Sequence, residues 1–179
     1  MSTTIPSDSD SRERRPAPPS GDTPPGNAAL LARVLVEAHA SRYDNAVKLA
    51  HGKGGQELEV QNALAVCLMR TGHVEEAVRI LRGLVMQPGS TWMRKDRPVH
   101  LKVNFATALM LEGHTSGALE MLGDLEGETT PHVPLLRAAV RRWEKSLPWL
   151  AWLDWKVNRV APHERRVAID FEPGEFGTP

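Results

Sequence analysis

The chain of 179 residues is long enough for one domain with a hydrophobic core, and its 41% hydrophobic content is typical of a globular protein rather than a membrane or fibrous one. Its 22 Lys and Arg residues balance 22 Asp and Glu residues, and only 5% of residues are aromatic, so the composition does not indicate nucleic-acid binding. The single cysteine, Cys67, cannot form an intramolecular disulfide, and its apolar surroundings predict a buried thiol with a structural role.

The first part of the chain is predicted to be a disordered tail. Residues 1–26 are rich in Ser, Thr, Asp, Arg and Pro and offer too few apolar side chains to offset the entropy of ordering. Pro16 to Pro19 resemble a polyproline II segment that a proline-reading domain could bind. The sequence has no secretory signal and no apolar run long enough to span a bilayer, so cytoplasmic residence is expected.

Helical periodicity begins after this tail. Asn27 is a candidate cap for a helix over residues 28–39, and a second helix is predicted from about 44 to 51. The apolar spacing then predicts helices over 57–70 and 74–85, and after a longer link (88–98) over 99–111 and 116–125.

A short sequence motif recurs at the turns between these helices. GHVEEA at 72–77 reappears as GHTSGA at 113–118 and, more weakly, as SRYDNA at 41–46. Each copy has a small residue at the turn and an alanine five positions later, a spacing that suits a tight helix-turn-helix. Helical hairpins that repeat in this way stack on one another to bury their apolar faces.

The middle and third copies resemble the tetratricopeptide repeat. The residues that carry the resemblance are Leu64, Ala65, Leu68, Gly72, Ala77, Leu81 and Leu84 in the middle copy, and Phe105, Ala106, Leu109, Gly113, Ala118, Leu122 and Leu125 in the third. The first copy departs from the pattern at Arg33, Glu37 and Ser41, and is either a capping repeat or an unrelated helical pair. The resemblance implies an all-α solenoid with a right-handed superhelix over residues 27–126. It also implies a protein-binding function, as an adaptor or assembly factor.

In this family the first helix of each hairpin lines a concave groove. By resemblance, the groove residues are Asn62, Val66, Met69, Arg70, Val103, Thr107, Met110 and Leu111. This surface is largely apolar and lacks the paired Lys and Asn positions with which some members bind a terminal carboxylate. The expected partner is therefore an apolar helix or an extended peptide rather than an acidic chaperone tail.

Residues 127–160 are predicted to contain two more helices, over 131–145 and over 147–160, with Ser146 capping the second. The second helix carries Trp149, Trp152 and Trp155 on an apolar surface wider than half its circumference. Three roles are open for it: sealing the end of the stack, binding a partner, or attaching to a membrane surface.

Residues 161–179 are predicted to be an extended tail. Val167, Ile169 and Phe171 alternate with more polar residues, as in a strand. Such a tail either packs over its own helices or supplies an edge strand to a partner.

Motifs for catalysis are absent from the sequence. None of the seven histidines stands at a metal-ligand spacing with a completing Cys, Asp or Glu, and neither a phosphate-binding loop nor a serine-nucleophile motif is present. His73 and His114 follow the turn glycines at equivalent positions and are interpreted as turn residues. The chain is expected to be non-catalytic and to need no cofactor or metal; a helical enzyme of unrecognised type is the remoter alternative.

Overall fold

A computed structural model describes residues 25–52, 56–90, 92–128, 130–159, 161–162 and 165–177. These residues contain eight α-helices and no β-strand, which confirms the all-α prediction. The helices are α1 (Pro25–His39), α2 (Tyr43–Ala50), α3 (Leu58–Arg70), α4 (Val74–Val85), α5 (Val99–Glu112), α6 (Thr115–Gly123), α7 (His132–Ser146) and α8 (Trp149–Asn158). The predicted N-terminal tail lies outside the described residues, apart from its last two positions, which belong to α1.

Two predicted helix caps are wrong. The helix α1 begins at Pro25, so Asn27 lies inside it; proline is tolerated in a first turn because its missing N–H would have no helical partner there. Ser146 is the last residue of α7, and its hydroxyl donates to the carbonyl of Trp143 (2.7 Å) instead of capping α8. Pro148 precedes α8, and its carbonyl accepts from the Trp152 amide at 2.8 Å.

Consecutive helices pack as hairpins around one core. The pairs α1 and α2, α3 and α4, and α5 and α6 are in contact, and each pair also contacts the next one along the chain. The small residues Ala65 and Ala77 in the second pair, and Ala106 and Ala118 in the third, are completely buried. Side chains of this size allow two helices to approach closely.

The three hairpin turns share one backbone geometry. Ser41, Gly72 and Gly113 all adopt a left-handed conformation, with φ of 57°, 85° and 101°. In each turn this residue donates to the carbonyl three positions earlier, and the next residue donates to the carbonyl five positions earlier. The bonds are Ser41 to Ala38 and Arg42 to Glu37, Gly72 to Met69 and His73 to Leu68, and Gly113 to Met110 and His114 to Leu109. This double closure is the Schellman motif, so the turn of the first hairpin has the same geometry as the other two turns despite its divergent sequence.

Ser41 is the strained member of the set, because a side chain in the left-handed region clashes with the backbone. Replacing it by glycine is expected to raise the free energy of unfolding by about 0.5–1 kcal/mol, the relief of strain exceeding the entropy gained by the unfolded chain. The reciprocal change, Gly72→Ser, should lower it by about 1 kcal/mol, because its turn has the same geometry and open space around the missing side chain. Urea unfolding of the two variants tests the pair; shifts of the same sign would contradict the argument.

The longer link between α4 and α5 folds back on itself. Met86 and Met93 form an isolated antiparallel bridge, and the Arg94 amide donates to the carbonyl of Val85 at 2.8 Å. The end of α4 is thereby held beside the residues that lead into α5. The two helices therefore pack as neighbours although the link is longer than those at the hairpin turns.

The last helix is fixed by one tryptophan. Trp155 is completely buried, its ring meets that of Trp143 edge-on at 5.1 Å, and its indole N–H donates to Glu144 at 2.8 Å. Burial by itself raises the pKa of the Glu144 carboxyl, but the hydrogen bonds from Trp155 and Lys156, together with the positive charges of Lys156 and Arg159, lower the pKa overall. The carboxylate form of Glu144 thus ties α8 to α7.

Candidate functional site

The first helix of each hairpin contributes to one continuous surface. Contacts link α1 to α3, α3 to α5, and α5 to α7, so these helices lie side by side. We call the side of these helices that carries Asn62, Asn104 and His132 the odd-helix face. Residues 165–177, here called the tail segment, lie across it without regular secondary structure. Of the two roles open for this segment, the structure shows packing on its own helices: Val167 is buried, and Ile169 and Phe171 pack against the core.

Two buried asparagines hold the backbone of one residue of the tail segment, Glu175. Asn104 on α5 donates through Nδ2 to the carbonyl of Glu175 at 2.8 Å and accepts through Oδ1 from its amide N–H at 2.7 Å. Asn62 on α3 donates to the same carbonyl at 3.3 Å and accepts a second Asn104 hydrogen bond at 2.7 Å. The carboxamide of Asn104 therefore reads both polar groups of a backbone residue, whatever its side chain.

Arg70, at the end of α3, holds the three residues of the segment that precede Glu175. Its guanidinium donates to the carbonyls of Pro173 (3.0 Å) and Gly174 (3.1 Å), and pairs with the Glu172 carboxylate at 3.0 Å. The same group lies 4.8 Å from the ring centre of Phe176, a cation–π distance. The Arg70 side chain is only 10% exposed, whereas its ion-pair partner Glu172 is 64% exposed.

Between the residues held by Arg70 and by Asn104, the segment packs against helix α3 at a glycine. Gly174 is buried and left-handed, with φ of 83°. A Cβ atom built there would lie 2.8 Å from the terminal methyl of Met69 and 2.9 Å from a methyl of Val66. The backbone conformation and the space available both require glycine at this position.

The rest of the segment is held by α1 and α7. His132 hydrogen-bonds the Glu175 carboxylate through its ring, and its ring centre lies 5.5 Å from that of Phe171. The Phe176 ring meets His39 of α1 edge-on at 5.7 Å. Upstream, the Trp143 indole donates to the carbonyl of Arg165 at 2.6 Å, and Arg142 pairs with Asp170 at 2.6 Å. Contacts thus run along the segment from Arg165 to Phe176.

The predicted groove residues fall into two groups. Asn62, Val66, Met69 and Arg70 all contact the tail segment, as described above. In α5, by contrast, Val103 and Met110 are completely buried in the core cluster, Leu111 packs against that cluster, and Thr107 donates to the carbonyl of Val103 within its own helix. The prediction of a largely apolar surface is also incomplete, because the contacts that hold the segment are mainly polar.

Asn104 and His132 were missed by sequence reasoning. Repeat equivalence places Val103 opposite Asn62, so the pattern did not select the neighbouring Asn104. The available signal was an asparagine within an otherwise apolar run in both α3 and α5. Buried asparagines need hydrogen-bond partners, which makes such positions candidates for recognition.

The tryptophan helix has a mixed environment. Trp155 faces the core, but Trp149 is 71% exposed and Trp152 is 43% exposed. Leu150, Leu153 and Val157 are exposed on the same helix. The described residues include no helix of the length and apolarity needed to cross a membrane.

Cys67 and the possible metal ligands of the described residues are the candidates for a further site. Burial raises the pKa of the Cys67 thiol to about 11, which keeps it protonated at neutral pH. Within the described ranges, no three His, Cys, Asp or Glu side chains are grouped closely enough to hold a metal ion. An open cavity of about 720 Å³ lies beside the turn between α5 and α6, where the Arg166 side chain packs against Gly113.

Comparison of the chain with protein-family models, with curated proteins and with solved structures found no match. The geometry of the odd-helix face is therefore the basis for assigning a function.

Proposed function

We propose that this protein is a non-catalytic protein-interaction module, an adaptor or assembly factor of the tetratricopeptide type. Its helical hairpins would form a solenoid whose odd-helix face binds an extended peptide of another protein. The observation that supports this most strongly is the pair Asn62 and Asn104, two buried amide side chains that satisfy the backbone of an extended segment. Recognition through the backbone is a general way to bind a peptide with little dependence on its sequence.

The chemistry of the face favours binding over a purely structural contact. A buried polar group must be hydrogen-bonded to avoid a desolvation cost of about 1–3 kcal/mol. If the contact served only to cover the core, two apolar side chains in place of the asparagines would do so without needing hydrogen-bond partners. Here Asn62, Asn104 and Arg70 depend on the tail segment for hydrogen bonds, so the face requires an occupant with exposed backbone groups. No cofactor or metal is needed for this function.

Membrane-surface attachment through α8 is the second candidate, and the exposed Trp149 and Trp152 are the observation in its favour. Flotation with vesicles of anionic phospholipid tests it. If the full chain floats and a Trp149→Ser, Trp152→Ser variant does not, α8 is a membrane anchor; a chain that stays at the bottom contradicts that role.

Panning a display library of random 12-residue peptides tests peptide binding. The bait is the full chain with Gly174→Val, since the added side chain cannot fit against Val66 and Met69 and should clear the face. Recovered peptides are expected to bind this bait at least tenfold more tightly than they bind a bait that also carries Asn62→Ala and Asn104→Ala. Each lost hydrogen bond between uncharged groups is worth about 1 kcal/mol.

Circular dichroism of both baits controls for folding. Charge or bulk at Val66 or Met110 is a poorer probe, because both side chains are completely buried and their change would also disturb the core. Peptide binding that ignores the asparagine changes, or a library that yields no binder at all, would overturn the proposal.

A further inference from the structure

We infer that the tail segment occupies the site at which the partner binds. The partner would be an extended acidic peptide that carries glycine followed by an acidic and then an aromatic residue. This inference rests on the proposed function and names the ligand class of the same face. The segment and the partner would then compete for one site, so that the free protein is self-occupied and binding requires exchange.

The glycine requirement comes from the floor of the face. Val66 and Met69 leave no room for a Cβ atom opposite Gly174, and the backbone there is left-handed. Any peptide that uses the Asn104 hydrogen bonds must place its preceding residue at the same point. A glycine immediately before the residue held by Asn104 is therefore expected in every tight ligand.

The acidic requirement comes from the groups that border the face. Arg70 pairs with Glu172, His132 with Glu175 and Arg142 with Asp170, so the end of α3, the start of α7 and a later turn of α7 each present a partner for a carboxylate. Neutral side chains at these positions would leave the largely buried Arg70 without its ion pair. Carboxylates at matching spacing thus distinguish this ligand from other extended peptides.

The aromatic requirement comes from the far end. Phe176 lies between the guanidinium of Arg70 and the ring of His39. An aromatic ring at this position makes a cation–π contact with Arg70 and an edge-on contact with His39. An aliphatic side chain cannot make either contact.

The manner of attachment is compatible with exchange. Of the described residues in the tail segment, only Val167 and Gly174 are buried, and the others remain at least partly exposed. Most of the polar contacts are to side chains of the helices rather than within a sheet. A competitor can therefore displace the segment stepwise without unfolding the helical hairpins.

Fluorescence anisotropy with a labelled peptide of residues 165–177 tests the inference. The proteins are the full wild-type chain, the Gly174→Val chain and a Glu175→Pro chain, whose segment lacks the amide N–H that Asn104 accepts. The peptide is expected to bind both variants at least tenfold more tightly than it binds wild type, because their own segments no longer fill the face. The second variant serves if the first fails to fold. Equal binding to all three chains would contradict the competition.

Two altered peptides test the ligand class. One carries Gly174→Ala, and the other carries Asp170→Asn, Glu172→Gln and Glu175→Gln; each should bind the opened chains at least tenfold more weakly than the parent peptide. If either binds as well as the parent, the inferred class is wrong. Library peptides that depend on Asn62 and Asn104 but lack glycine and carboxylates would overturn the inference while leaving the proposed function intact.

Discussion

Replacing Trp155 by alanine is expected to lower the free energy of unfolding by about 3–5 kcal/mol, the usual cost of emptying a completely buried aromatic site. The change removes the edge-on contact with Trp143 and leaves Glu144 without the indole hydrogen bond. Urea unfolding followed by circular dichroism at 222 nm measures the loss.

Trp149→Ala is the matched control, because Trp149 lies on the same helix but is 71% exposed. Its replacement should change the free energy of unfolding by no more than about 0.5 kcal/mol, as is usual for surface positions. Similar losses for the two variants would show that α8 is not held by Trp155. The pair therefore separates the part of the helix that seals the core from the part left exposed.

Asn104→Ala should release the tail segment while the helices stay folded. The substitution removes three hydrogen bonds at once, two to Glu175 and one to Asn62, and is expected to weaken docking of the segment by about 2–4 kcal/mol. Hydrogen exchange is the direct measurement: the Glu175 amide, whose N–H donates to Asn104, should exchange roughly 30-fold to 1,000-fold faster than in wild type.

Asn45→Ala provides the comparison, since Asn45 is exposed and its side chain makes a 3.3 Å hydrogen bond to Glu37 within the first hairpin. Exchange in the tail segment should be unaffected by this change. Unaltered protection of the segment in Asn104→Ala would mean that the asparagine pair does not hold it, and would remove the main support for the proposed function.

Local signals in the sequence predicted the helices well, because helical periodicity and turn chemistry are properties of a few neighbouring residues. The turn at Gly72 and the buried Ala77 five positions later are examples, and the same spacing located Gly113 and Ala118. Caps were less predictable. Ser146 has the residue type of a helix N-cap, but it lies in the last turn of α7, where its hydroxyl bonds to Trp143.

The site was only half predictable. Helix α3 was placed correctly because its groove residues follow the repeat pattern, whereas in α5 the critical side chain, Asn104, is one position away from the residue that the pattern selects. The alternation of Val167, Ile169 and Phe171 indicated an extended conformation. Where that segment lies depends on contacts such as Glu175 with Asn104, which are 71 residues apart and leave no local trace in the sequence.

The folded-back link between α4 and α5 allows the number of residues between the two helices to change without moving the helices. Met86 and Met93 pair at the base of this link, so the residues between them do not set the distance between α4 and α5. Added or deleted residues there alter the spacing of the sequence motif, 31 residues from Ala46 to Ala77 but 41 from Ala77 to Ala118, without altering helix packing. Irregular repeat length is thus compatible with regular architecture, and the bridged loop, with Trp92 at its exposed side, is a natural place to insert a reporter peptide.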